Sequence, residues 1–328
     1  MKAILLDGFG GAERMRLGDA PAPRPEAHQV LIRVAATSVN RPDVIQREGH
    51  YPPPPGESEI LGLEAAGTIE AVGEDVRGLT PGQRVAALLG GGGYAELAVA
   101  DARHVVPIPD SVSFEEAACL CEAYITAYHN LFIGARLADG EWVLLHGGGG
   151  GVTTAGMQLV AALAPASRMI VTASAAKLRR VADLGAHTVV DYRSEDFVDA
   201  VARATNGRGV DVILDHVGGP YLERNMKALA VGGRIALIGI MGGRKAEIDL
   251  GRLLVKRQEL IGSVLRPRPA DEKARIIARF RDAVMPLVAE RRIVPLIDRV
   301  YRLEEAAEAH RRMERGEHFG KIVLRVDV

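Results

Sequence analysis

Residues 142–163 read Trp142-Val143-Leu144-Leu145-His146-Gly147-Gly148-Gly149-Gly150-Gly151-Val152-Thr153-Thr154-Ala155-Gly156-Met157-Gln158-Leu159-Val160-Ala161-Ala162-Leu163. A short apolar run meets five glycines and then an apolar stretch of helical length. The pattern predicts a buried strand, a tight turn and a helix over 152–163. Glycines in that setting let the backbone approach a pyrophosphate, and the helix start supplies amide donors and positive partial charge. A strict G-x-G-x-x-G fits no register, because Thr153 and Thr154 occupy the third-glycine positions. On its own the run also reads as a flexible strand-to-helix turn, so the neighbouring segments decide.

Those neighbours repeat the alternation. Strands are expected at 168–172, 188–192, 211–215, 234–238 and 259–263, with a helix at 177–184 that Gly185 stops. Near-continuous apolar strands alternating with helices imply a parallel sheet covered on both faces. The expectation is a six-stranded, doubly wound α/β domain.

Upstream the rhythm differs. Residues 29–34 alternate in period two after Pro21, Pro23 and Pro25, and further short strands read at 67–73, 84–88 and 94–99. Short strands broken by Gly and Pro point to a compact β-barrel. Ser113-Phe114-Glu115-Glu116 is a capping box that opens a helix. Beyond the α/β segment, helices are expected at 270–290 and 303–315, then a closing strand at 321–326 that pairs with the first domain. The domain reading is therefore 1–121 with 266–328, and 122–265.

Composition narrows the function class. The chain has 328 residues, enough for two domains. Lys+Arg 41 against Asp+Glu 42 leaves a formal charge of -1, which argues against nucleic acid held on a basic surface. Two cysteines, Cys119 and Cys121, make no disulfide scaffold. The start, Met1-Lys2-Ala3-Ile4-Leu5-Leu6-Asp7, reads as neither signal nor anchor, and no apolar run is of membrane-spanning length. A cytoplasmic location is the expectation.

Cofactor choice is read after the second strand of the α/β domain. NAD enzymes commonly place Asp or Glu there, about 20 residues past the glycines. Here the text is Val171-Thr172-Ala173-Ser174-Ala175-Ala176-Lys177, without an acid. Ser174 and Lys177, with Tyr192 and Arg193, suit a 2′-phosphate and hence NADPH. The competing reading of Lys177 is a solvated first-turn residue.

Several separated motifs then agree in order: Ser38-Val39-Asn40-Arg41-Pro42-Asp43, Ile60-Leu61-Gly62-Leu63-Glu64-Ala65-Ala66-Gly67, Glu122-Ala123-Tyr124-Ile125-Thr126-Ala127, Val190-Asp191-Tyr192-Arg193-Ser194-Glu195-Asp196-Phe197, and Gly320-Lys321-Ile322-Val323-Leu324. With these, the whole chain resembles the medium-chain dehydrogenase/reductases, in their zinc-free quinone oxidoreductase branch. The resemblance implies a GroES-like β-barrel domain plus a six-stranded Rossmann domain, with nicotinamide entering the cleft. Zinc-containing relatives carry Cys near Asn40 and Gly-His-Glu where this chain has Gly62-Leu63-Glu64, so no metal is expected.

The resemblance also carries the site. It implies cofactor contacts at Asn40, Thr126, Gly150, Gly151, Val152, Val217, Gly218, Gly239, Met241 and Lys321, besides Ser174, Lys177 and Tyr192. It places Tyr51, in a Pro-rich loop, with Asn40 and Met241 at the acceptor. No residue reads as an obligatory acid or base. The leading function is NADPH-dependent reduction of a quinone. The alternatives are reduction of an activated alkene, with Tyr51 as the attractive proton donor, and NADPH binding with little turnover.

Three departures stand out. Thr153 replaces a family glycine and is expected to crowd the pyrophosphate or the helix packing, unless the glycines turn it aside and free its hydroxyl for a phosphate oxygen. Cys121 replaces a proline and reads as a packing change. The turn at Ala164-Pro165-Ala166-Ser167-Arg168 is also altered. Relatives pair the edges of their Rossmann sheets, so a homodimer through 259–264 is expected.

Overall fold

The computed structural model describes residues 1–326. The chain divides into two compact units. Met1–Ile125 joins the chain from Leu265 onward, and Thr126–Val264 forms the other.

The first unit is built on a seven-stranded sheet in the order Ile297–Arg302, Lys321–Arg325, Gln29–Val39, Glu64–Val72, Arg84–Leu88, Val105–Pro107, with Leu97–Asp101 also pairing on Gln29–Val39. Alternation along Gln29–Val39 sends Val30, Ile32 and Val34 inward, all 0% exposed. They pack with Ile69, Val85, Tyr94, Ile322 and Leu324 in one core. The closing strand pairs as expected. Ile322 faces Val39 and Val323 faces Ser38, antiparallel. Sequence reading missed its other neighbour, Ile297–Arg302, which pairs with it in parallel. It also missed the hairpin of Lys2–Leu6 and Met15–Asp19. The capping box forms as read. Glu116 N donates to Ser113 Oγ at 3.1 Å, and Ser113 N to Glu116 Oε2 at 3.0 Å.

The second unit is a parallel six-stranded sheet. Its order is Thr188–Asp191, Arg168–Ala173, Trp142–Leu145, Val210–Asp215, Leu229–Leu237, Glu259–Gly262. The first and fourth strands in the chain lie side by side, so the chain reverses direction across the sheet between them. Ligands of such sheets bind outside the strand ends at that switch point. The five glycines and Val217-Gly218 follow those two strands. Leu144, Ile170, Ile213 and Ile235 fill the face beneath Phe197 and Met226.

Since Ile322 is 0% exposed on a strand paired on both sides, Ile322→Ala should lower unfolding free energy by about 2–5 kcal/mol. Chemical denaturation of variant and parent measures it.

Candidate active site

In the first unit the polar centre is Glu64, at the start of its strand and 0% exposed. A buried carboxylate must be paired and hydrogen-bonded. Lys321 Nζ lies 3.0 Å from Glu64 Oε1, with Lys321 itself 4% exposed. Ser38 Oγ donates to the same oxygen at 2.5 Å and Asn40 Nδ2 at 3.0 Å. Glu122 N donates to Oε2 at 2.9 Å. Lys321 also donates to Asn40 Oδ1, so both ends of the Asn40 amide are held. Asn40 and Lys321 thus come together through Glu64, which the sequence reading did not single out. The signal was an acid inside an apolar run, Ile60-Leu61-Gly62-Leu63-Glu64-Ala65-Ala66.

Asp43 secures the other side of Asn40. It is fully buried and accepts from Asn40 N at 2.8 Å and Gly62 N at 3.1 Å. Burial pushes its carboxyl up to about 6. Gly62 is obligatory, with φ +106° and a Cβ that would fall 2.6 Å from Gly93 Cα. Behind Asp43 stands His310. Arg47 Nη1 lies 3.4 Å from its Nδ1 and can only donate, which leaves the proton on Nε2, 3.0 Å from the Tyr94 hydroxyl. Tyr94 in turn donates to Asp43 Oδ2 at 3.4 Å.

Tyr51 is set by Arg266. The guanidinium carbon sits 5.2 Å from the Tyr51 ring centroid, and Nη1 donates to Tyr51 O at 3.4 Å. Arg266 Nε also donates to Gly90 O at 2.8 Å, fixing the loop opposite. Burial raises the Tyr51 hydroxyl, with the charge of Glu122 adding to the rise. Neither Asn40 nor its neighbours supply the Cys that zinc relatives carry near that position, Leu63 stands in place of their His, and Glu64 is committed to Lys321. This donor set does not fit zinc. Among the described residues no three His, Cys, Asp or Glu side chains cluster as metal ligands.

In the second unit the glycine loop forms a cradle that side chains would fill. Gly147 has φ +68°, and a Cβ there would lie 2.5 Å from the His216 imidazole. A Cβ on Gly149 would lie 2.8 Å from Lys177 Nζ, so the lysine amine rests over the loop. Gly150 is the extended residue before helix Gly151–Leu163, which Val152 continues, and it contributes no side-chain cap. Ser174 follows the second strand, and Tyr192 the third. Pairing of Ala173 with Asp191 sets the two beside each other. Tyr192 is 40% exposed. These groups suit a dinucleotide with a charged ribose phosphate.

Thr153 does not stand in the cradle. It is 1% exposed, and its hydroxyl donates to His146 O at 2.6 Å. The expected crowding is therefore corrected: the hydroxyl ties the helix to the strand it follows, and no hydrogen is left for a phosphate.

A buried chain of side chains supports both loops. Asp215 Oδ1 accepts from Val217 N at 2.7 Å and Gly218 N at 3.3 Å, while Asn225 Nδ2 donates to Oδ2 at 3.0 Å. That orients Asn225 Oδ1 toward His146 Nε2 at 2.8 Å, so this nitrogen donates. His146 Nδ1 then accepts from Thr172 Oγ1 at 3.0 Å, and Thr172 Oγ1 accepts from Gly147 N at 3.3 Å. The direction is fixed by the carboxylate end. Gly239 and Met241 are held nearby: a Cβ on Gly239 would meet His216 O at 2.9 Å, and Met241 N donates to His216 O at 3.1 Å. Met241 is 59% exposed. Thr126 lies in helix Ala123–Tyr128, its carbonyl accepting from Asn130 Nδ2 at 2.8 Å.

Burial pushes His146 from its ordinary 6.5 down to about 3. The unfolded chain therefore takes up a proton below pH 6.5 that the folded chain refuses until about pH 3. Stability from this group is complete above that window and is lost as pH falls through it. His146→Gln should reduce the acid-side slope of unfolding free energy by one proton, about 1.4 kcal/mol per pH unit. Denaturant unfolding at stepped pH between about 4 and 8 reads the difference.

Comparison with known proteins agrees with this geometry. A family model described as alcohol dehydrogenase GroES-like domain matches residues 26–110, and one described as zinc-binding dehydrogenase matches residues 184–324. Rat quinone oxidoreductase is 33% identical over 313 residues, covering 94% of this chain and 93% of its own length. The structure of Escherichia coli quinone oxidoreductase complexed with NADPH superposes with a TM-score of 0.89 at 26% identity, covering 99% of this chain and 100% of its own. A mycobacterial protein complexed with NADPH gives 0.88 at 30% identity, covering 99% and 100%. With a GroES-like first unit, a Rossmann second unit and no zinc ligand set among the described residues, the chain belongs to the quinone oxidoreductase branch of the medium-chain dehydrogenase/reductase superfamily.

Proposed function

We propose that the protein is an NADPH-dependent oxidoreductase that reduces a quinone-like acceptor without metal. The observation that carries this reading is Lys177 lying over Gly149, on a loop whose neighbouring strand end offers Ser174 and no acid. The amide donors of Gly150, Gly151 and Val152 hold the pyrophosphate, and Lys177, Ser174 and Tyr192 hold the 2′-phosphate. Val217, Gly218, Gly239 and Met241 line the remaining length of the cofactor, and Thr126, Asn40 and Lys321 serve its nicotinamide end. When bound, NADPH supplies a hydride. Tyr51 and Asn40 orient the acceptor, with Met241 as an apolar contact. Lys321 does so indirectly, by holding the Asn40 amide. Two-electron reduction of a quinone yields a phenolate that solvent protonates.

We also infer a homodimer in the cytoplasm. Glu259–Gly262 is the last strand of its sheet, with an edge open to pairing. Around it Leu250, Leu254, Val255, Leu260 and Val264 are exposed, the most open being Val255 at 79%. Apolar groups of this size beside an open edge favour burial against a second copy. Both cysteines are buried free thiols, in keeping with a reducing compartment.

The parent should oxidise NADPH on addition of a p-quinone and bind NADPH more tightly than NADH. Lys177→Ala should weaken NADPH by roughly 1.5–3 kcal/mol, about 10- to 160-fold, and leave NADH nearly unaffected. Calorimetric titration decides; equal affinity of the parent for both cofactors would defeat the reading. For assembly, the double variant Leu254→Asp, Val255→Asp should sediment as a monomer where the parent is a dimer. A monomeric parent at micromolar concentration would remove the dimer.

A further inference from the structure

Tyr51 lies in a segment without strand or helix, and Pro52, Pro53, Pro54 and Pro55 follow it. A proline has no backbone N–H. Between His50 and Gly56 the loop therefore has a single amide donor, that of Tyr51, and must be held through its carbonyls and side chains. Its seat is the glycine run 90–93. A Cβ on Gly90 would collide with the Glu57 carboxyl, and one on Gly91 with Ser58 O, so the returning arm of the loop rests on bare backbone. Gly92 N donates to Ile60 O at 2.7 Å and completes the seat.

Arg266 bolts the loop to that seat from a distant part of the chain. Nε and Nη2 both donate to Gly90 O, at 2.8 and 2.5 Å, while Nη1 donates to Tyr51 O at 3.4 Å. The guanidinium carbon stands 5.2 Å from the Tyr51 ring centroid. Arg266 is 5% exposed, yet among the described residues it forms no ion pair; Asp43, Glu122 and Glu57 act on it only through space. A buried cation ordinarily keeps a carboxylate partner. Here two carbonyl oxygens and an aromatic face take that place. No adjacent anion neutralises the charge, and the ring it lies against is that of the acceptor residue. Burial and the Glu122 charge raise the Tyr51 hydroxyl, and Arg266 draws it down.

We propose that Arg266 is a positioning residue for the reduction: it fixes Tyr51 and, through the ring, strengthens the hydrogen bond that the Tyr51 hydroxyl donates to the acceptor's oxygen. The inference rests on the quinone reading and adds a residue to it. In the step, the quinone takes up a hydride and becomes the hydroquinone monoanion, NADPH becoming NADP+. Negative charge collects on an oxygen that was a neutral carbonyl. Tyr51 keeps its own proton throughout, and water supplies the last proton of the hydroquinone. A hydroxyl polarised by a neighbouring cation gains more from an oxyanion than from a carbonyl. The arginine therefore acts on the rate of the step more than on binding of the acceptor. Its burial keeps water from screening that charge.

The test measures NADPH oxidation with duroquinone for the parent, Arg266→Met, Arg266→Lys, Tyr51→Phe and the double variant of Arg266→Met with Tyr51→Phe. Arg266→Met should lower kcat by about tenfold or more, and Tyr51→Phe by about 100-fold. Arg266→Lys, which keeps the charge, should recover part of the loss. The double variant should be no slower than Tyr51→Phe alone, because the arginine acts through the hydroxyl. NADPH affinity, read by fluorescence titration, should match the parent in every variant. An equal loss from Arg266→Met with and without Tyr51→Phe overturns the inference, since the arginine then only holds the loops together. A parental kcat in Arg266→Met, or an Arg266→Lys no faster than Arg266→Met, overturns it too. If melting followed by circular dichroism shows that Arg266→Met does not fold, Arg266→Lys takes its place in the cycle, with a smaller loss that again vanishes beside Tyr51→Phe. Each of these failures leaves a parent that reduces duroquinone, and with it the quinone reading. A parent that binds NADPH and does not reduce the quinone ends the reading and the inference together.

Discussion

One buried ion pair organises the first unit. Lys321 and Glu64 sit where water does not reach, on strands from opposite ends of the chain. Taking either charge out of water costs several kcal/mol, so removing one partner leaves a penalty the fold cannot offset. The pair persists because Ser38, Asn40 and the Glu122 amide complete the acceptor capacity of the carboxylate. From that requirement much else follows. Asn40 is pinned at both amide atoms, Asp43 caps the helix that starts beside it, and Gly62 must be glycine to bring its N–H to Asp43.

The second unit solves the corresponding problem without a cation. Asp215 is bonded by two backbone amides and Asn225, and its charge sets the direction of every hydrogen bond through His146 to Thr172 and Gly147. The strand ends that flank the switch point are thereby locked by neutral groups. A loop of five glycines has large conformational freedom, and this support limits it. Thr153 contributes in the same sense, since its hydroxyl clamps the following helix to His146 O.

Local patterns made the architecture readable, and long-range partners made it incomplete. The apolar strands of 142–263 and the Ser113 capping box announced themselves through composition and spacing. Ile297–Arg302 did not, because Asp298, Arg299 and Arg302 break its apolar pattern on an edge. The glycine motif showed where a glycine was missing, yet only the structure shows which way Thr153 turns. The site was legible as a set of motifs. Its chemistry was hidden because Glu64 meets a lysine 257 residues away.

The first unit is made from both ends of the chain, with the second interposed. That arrangement has a consequence for biosynthesis. As the chain leaves the ribosome, residues 126–264 emerge together with every partner strand their own sheet requires. The strand Gln29–Val39 emerges far earlier but waits for Lys321–Arg325, which is made only after the whole second unit. Until Lys321 emerges, Glu64 lacks its lysine and the edge of Gln29–Val39 that pairs with Lys321–Arg325 is uncovered. Nascent chains should therefore carry a folded Rossmann unit and an unfinished barrel, and premature termination just short of Lys321 leaves the aggregation-prone half exposed.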